Sequence, residues 1–118
     1  MAMHEIVLFL QLVREAHEAR QLNYRRARGK NRETLEVLGW QPRDMFECVA
    51  GLKPEQALCL PRQNRHPDYL RELVCEFGTK AHGHDIYVKV TVVVHDKGVA
   101  GCVISFHFTE KPLEYPFD

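Results

Sequence analysis

Asp85-Ile86-Tyr87-Val88-Lys89-Val90-Thr91-Val92-Val93-Val94-His95 runs into Asp96-Lys97-Gly98 and then into Val99-Ala100-Gly101-Cys102-Val103-Ile104-Ser105-Phe106-His107-Phe108. Both arms are rich in β-branched and aromatic residues, so residues 86–94 and 99–108 are predicted as strands joined by a tight turn. The predicted turn is a three-residue loop, Asp96-Lys97-Gly98, with Gly98 in the left-handed position of a type I turn followed by a bulge. That register sets His95 opposite Val99, Val92 opposite Cys102, Val90 opposite Ile104 and Val88 opposite Phe106. The last three pairs are apolar, so their face is the expected core. A two-residue loop would slip the register by one, pair Lys89 with Ile104 and mix polar with apolar residues on both faces, which the pattern rejects. Alternation then places Lys89 opposite Ser105 and Tyr87 opposite His107 on the other face, within roughly 5–8 Å of one another.

Upstream of this hairpin the periodicity becomes helical. Ile6, Leu10 and Val13, with Val7, Phe9 and Leu12 beside them, predict a helix over residues 4–22. Arg20–Arg32 holds Arg20, Arg25, Arg26, Arg28, Lys30 and Arg32 with Tyr24 among them, and Gly29 marks it as a loop or frayed helix end. Asn31 is expected to cap a short helix through Leu38, with Gly39 as its stop. Pro42 opens a helix over 42–50, ended by Gly51, and residues 52–56 start one more turn. The proline-bracketed residues 60–68 read as a loop. Alternation of Leu73, Cys75 and Phe77 with Glu72, Val74 and Glu76 predicts a strand over 70–77. The tail Pro112–Asp118 is expected to lie extended on the surface. The fold class is therefore α+β, a single domain over 1–118 with N-terminal helices packed on a small C-terminal antiparallel β-sheet.

The chain has 118 residues, 45% hydrophobic and 27% charged, which excludes a wholly disordered chain. Lys+Arg and Asp+Glu number 16 each, so a nucleic-acid site would have to be a local patch. No apolar run approaches the length of a membrane span. The start lacks the basic region of a secretory leader, and the expected location is the cytoplasm. Cys48, Cys59, Cys75 and Cys102 are widely spaced and read as thiols acting as small hydrophobes. Cys102 is expected on the core face, and Cys59 has no base placed beside it. His82-Gly83-His84-Asp85 reads as a hairpin loop with no metal expected, because nothing fixes a third ligand.

The candidate site is the patch of Lys89, Ser105, Tyr87 and His107. On pattern alone it is equally the wet face of a half-exposed sheet. It is short of carboxylates, with no evident ion-pair partner, and it lies next to the basic loops. The Tyr24–Arg32 segment has the composition that holds phosphates and stacks on a base, although an isolated basic run is more commonly a solvated stretch. Arg62, Arg65 and His66 form a second positive patch in a loop.

The segment Asp85–Val92 followed by Val103-Ile104-Ser105-Phe106-His107 resembles the closing strands of MqsR-type toxins of bacterial toxin–antitoxin pairs, within the wider RelE-like ribonuclease toxins. The upstream order also fits: a helix, an arginine-rich link, a short helix ending in Leu38-Gly39, then Asp44-Met45 and Gly51-Leu52. The resemblance covers about residues 10–110. It implies a metal-independent endoribonuclease toxin that cuts messenger RNA, free or on the ribosome, and is neutralised by a cognate antitoxin protein. It carries the family's RNA-site tyrosine to Tyr87 and a lysine to Lys89. Where the family has a catalytic lysine after Ser-Phe, this chain has His107. Its lysine after Gly-Leu meets Cys59, with Arg62 nearby, and its catalytic glutamine has no match.

The chemistry expected of these residues is simple, because RNA supplies its own nucleophile in the 2′-hydroxyl. His107 would be general acid or base, Lys89 and Arg62 would act on phosphate charge, and Tyr87 would orient the base or share proton transfer. Lys80, from the loop before the hairpin, Arg25, Arg26, Arg28, Lys30, Arg65 and Ser105 are the expected RNA contacts. No cofactor and no membrane partner are expected. Two other readings use the same surfaces: a non-catalytic RNA- or ribosome-binding module, and a protein–protein adaptor.

Overall fold

The three helices lie in the N-terminal half and the long strands in the C-terminal half, as expected for the α+β class. The computed structural model describes residues 2–69 and 71–118. The order is α1 (Ala2–Glu18), β1 (Leu22–Tyr24), α2 (Gly29–Leu38), α3 (Pro42–Ala50), β2 (Arg62–Gln63), β3 (Leu73–Ala81), β4 (His84–His95) and β5 (Gly98–Phe108). One-turn 3-10 helices occupy Pro54–Gln56 and Pro67–Tyr69. The strands form one sheet in the order β1-β5-β4-β3-β2. β1 runs parallel to β5 and the other neighbours are antiparallel, so the sheet is mixed rather than purely antiparallel.

The core lies between one sheet face and the helices. Ile6, Phe9, Leu10 and Val13 on α1 are sealed against Phe77, Ile86, Val88, Val90 and Phe106, with Met45 and Val49 of α3 closing the layer. The Phe9 and Phe77 rings stack at 6.0 Å between centroids. The predicted helix over 42–50 matches α3, and α2 stops at Gly39 (φ 70°), the left-handed position where glycine costs least.

The β4–β5 hairpin corrects the predicted turn. Its loop is the two-residue Asp96-Lys97, with His95 paired to Gly98 and Val94 to Val99. The register is restored further along, because the sheet takes an extra residue between the pairs Val90–Val103 and Lys89–Ser105. This bulge leaves Ile104 as the surplus residue. Lys89–Ser105, Val88–Phe106 and Tyr87–His107 therefore pair as expected, whereas Val92–Cys102 and Val90–Ile104 do not. Cys102 lies opposite Thr91, off the core face where it was expected, and is half-buried. The β3–β4 turn is also tighter than predicted. His82 (φ 53°) and Gly83 (φ 81°) form it alone, both left-handed as a type I′ turn requires. Lys80 thus belongs to strand β3, not to a loop.

Two local readings are overturned by the edge of β5. The first helix ends at Glu18 rather than 22, and Arg20 turns out with φ 58° so that Leu22–Tyr24 can pair with β5. Asn31 is not a helix cap. It is fully buried inside the first turn of α2, and its amide completes the sheet edge where β1 stops. Its Nδ2 donates to the Ile104 carbonyl at 3.0 Å and to the Arg25 carbonyl at 3.2 Å, while its Oδ1 accepts from the Phe106 N–H at 3.0 Å. Thr34 Oγ1 accepts from the Phe108 N–H at 3.3 Å. Helix side chains thus stand in for a missing strand, because buried backbone groups must be paired.

The C-terminal tail crosses the other sheet face at Gly78. A Cβ there would meet the Tyr115 hydroxyl at 2.5 Å and Leu113 Cδ1 at 2.6 Å, so only glycine lets the tail lie this close.

Candidate nucleic-acid interface

The sheet face away from α1 carries the predicted patch, and the register fixes its layout. Glu76, Lys89 and Ser105 form one row across β3, β4 and β5, and Gly78, Tyr87 and His107 form the next. Two segments rise at the margins. On one side is the link between β1 and α2, which brings Arg25 and Arg28. On the other are the edge strand β2 and the residues Asn64–Tyr69 that follow it.

Between these margins lies an open cleft of about 520 Å³. Arg25, Arg28, Arg62, Arg65, His66 and Lys89 line it, with Tyr69 at its wall and Ile104 and Thr91 on its floor. Among the described lining residues Glu72 is the one carboxylate. A chain with equal numbers of acidic and basic residues thus places five of its sixteen lysines and arginines around one cleft. Arg28 reaches down to donate to Ser105 Oγ at 3.4 Å, which ties the link to the sheet.

The patch is not short of carboxylates, as the sequence suggested. Glu76 stands opposite Lys89 and accepts from Arg62 at 3.1 Å. Partial burial works to raise its pKa. The hydrogen bonds from Tyr87 and Arg62 and the nearby Arg62 and Lys89 charges outweigh burial and hold the carboxyl below its ordinary range. Burial, then the bond to Glu76 and its charge, push the Tyr87 phenol well above its ordinary value. Tyr87 therefore stays protonated and acts as a donor. Cys59 also gains an acid-base neighbour that the sequence did not place: its Sγ is 3.4 Å from Arg62 Nη1 and 3.8 Å from Glu76 Oε2.

The depressed Glu76 pKa makes a stability prediction. A carboxylate held ionised in the fold stabilises it above the ordinary value of 4.5, and that contribution is lost as pH falls through the depressed native value. Urea unfolding should find Glu76→Gln less stable than the parent at neutral pH, with the gap shrinking below pH 4.5. A gap that is constant with pH would assign the loss to packing instead.

His107 shares the Tyr87 face, with ring centroids 5.4 Å apart, and is half-buried. Its Nδ1 lies 3.1 Å from the Phe108 carbonyl. A carbonyl only accepts, so this bond puts the neutral ring's proton on Nδ1 and leaves Nε2 to take up or release one. His107 does not line the arginine cleft. It borders a neighbouring hollow of about 610 Å³ with Lys30, Thr34 and Lys111. The Tyr87–His107 and Glu76–Arg62 pairs lie in adjacent rows of this sheet face.

The other predicted residues divide. Arg25, Arg28, Arg62, Arg65 and Lys89 converge on the cleft, Ser105 lies beneath Arg28, and Lys30 belongs to the His107 hollow. Arg26 instead lies over the Tyr24 ring at 5.5 Å, and Tyr24 packs edge-on against Phe46. Tyr24 is thus a packing residue rather than a base-stacking one. Lys80 faces Asp85 at 3.9 Å and borders a separate hollow beside Tyr115. The sequence reading missed Glu76 and Tyr69. Both depend on which strand or loop comes alongside, and only the charge alternation along β3 hinted at Glu76.

Among the described residues no three His, Cys, Asp or Glu side chains gather closely enough to hold a metal ion. No described helix is long and apolar enough to cross a membrane. Comparison with family models, with curated proteins and with solved structures finds no match for this chain.

Proposed function

We propose that this protein is an endoribonuclease toxin that cuts messenger RNA and is held in check by an antitoxin protein. One observation carries the reading: a net-neutral chain places four arginines and a lysine around one open cleft beside the Tyr87–His107 pair. Phosphate is the ligand such a cleft attracts.

The chemistry then follows from the substrate. The RNA 2′-hydroxyl attacks the adjacent phosphorus, the bond to the 5′ oxygen breaks, and a 2′,3′-cyclic phosphate and a free 5′-hydroxyl result. His107 Nε2 takes the proton from the attacking hydroxyl or returns one to the leaving oxygen. Lys89 and Arg62 stabilise the negative charge that grows on the phosphate oxygens. Tyr87, whose ring lies against that of His107, orients the base or shares in the proton transfer.

Purified protein incubated with messenger RNA in excess EDTA should yield fragments ending in 2′,3′-cyclic phosphate. Binding without fragments would instead support a non-catalytic RNA- or ribosome-binding module. That second reading has its own observation, since His107 lies in the hollow next to the arginine cleft rather than within it.

A further inference from the structure

We propose that Tyr69, braced by His66, is a platform on which one unpaired RNA base stacks while its backbone lies on Arg25, Arg28 and Arg65. This rests on the reading of the cleft as an RNA site and names the part that holds a base.

Tyr69 is a large aromatic side chain left 42% exposed at the wall of a cleft that four arginines and Lys89 also line. An exposed ring beside arginines offers a base a π-face and its phosphates a counter-charge together. The His66 ring leans against Tyr69, with centroids 5.0 Å apart and planes at 45°.

Residues Asn64–Tyr69 are also held in shape before any ligand arrives. The Asn64 N–H donates to the Glu72 carbonyl at 2.8 Å, and its side-chain amide donates to the Glu72 carboxylate at 3.3 Å, closing the loop at its base. The His66 N–H donates to Asn64 Oδ1 at 3.0 Å, and the Tyr69 N–H donates to the His66 carbonyl at 2.9 Å. The Asp68 N–H donates to His66 Nδ1 at 3.2 Å, which fixes the imidazole plane. A platform set in advance loses less entropy on binding than a free side chain would. Arg25 and Arg28, across the cleft, are tied down through Asn31 and Ser105. The two walls therefore face each other at a spacing the fold sets. A base already paired and stacked inside a duplex cannot offer its face to Tyr69, so the platform selects unpaired RNA.

The test uses the full chain and a short fluorescent RNA of mixed sequence with 2′-O-methyl groups, which blocks cleavage. It is presented single-stranded and annealed to its complement, and binding is read by anisotropy. Tyr69→Ala should weaken single-strand binding on the order of tenfold or more, Tyr69→Phe should hold within about twofold, and duplex binding should not respond to either. Equal single-strand affinity for Tyr69→Ala and the parent would overturn the platform while leaving the RNA site standing. Parallel loss of duplex binding would overturn it too, by tracing the effect to loop shape or charge. A parent chain that binds neither RNA would overturn the nuclease reading along with it.

Discussion

Replacing His107 with alanine should lower RNA cleavage by at least tenfold, and on the order of 10²-fold if its imidazole moves the proton. The side chain is half-buried on the open sheet face and its bond goes to the neighbouring Phe108 carbonyl, so the fold should tolerate the change. The measurement is the initial rate of RNA cutting on gels, with the melting midpoint as the check on folding. Full activity in His107→Ala would remove this residue from the chemistry and move the search to groups lining the arginine cleft.

The second large effect belongs to stability. Asn31→Leu keeps the volume of the side chain and removes its hydrogen bonds. The Ile104 carbonyl and Phe106 N–H then lose the partner that α2 supplies, as does the Arg25 carbonyl. A buried polar group left unpaired costs about 1–3 kcal/mol, so the loss of these bonds should cost about 3 kcal/mol or more. Urea unfolding checks this directly. A loss below about 1 kcal/mol would mean that the freed groups find other partners. Asn31→Asp separates the two halves of the amide, because it keeps an acceptor for Phe106 and abolishes donation to Ile104 and Arg25.

These two residues also mark how far the sequence could be read. The hairpin strands carry a period-2 pattern strong enough to place Lys89 beside Ser105 and Tyr87 beside His107, because one face of the sheet must be apolar. The same pattern misjudged the turn. It assumed an unbroken ladder, and the chain satisfied the alternation with a two-residue loop and a surplus Ile104 instead. Asn31 looked like a helix cap because local sequence shows a short polar side chain before a helix, not the strand edge that comes to meet it. β1 was invisible for a related reason: Leu22–Tyr24 is too short to show a period and becomes a strand only through β5. The arginines of the cleft were legible as residue types, whereas their convergence came from the link and the loop standing on opposite margins of the sheet. Glu76 and Tyr69 needed the same tertiary information.

The borrowed amide of Asn31 has a consequence beyond stability. One rim of the sheet is closed partly by three residues of β1 and partly by Asn31 and Thr34. The other is met by Arg62–Gln63 and by the bridge of Ala57 to Phe77. Rims mended in such short pieces give a stray chain little continuous ladder to extend, which blunts the self-templated growth that leads from sheet proteins to fibres.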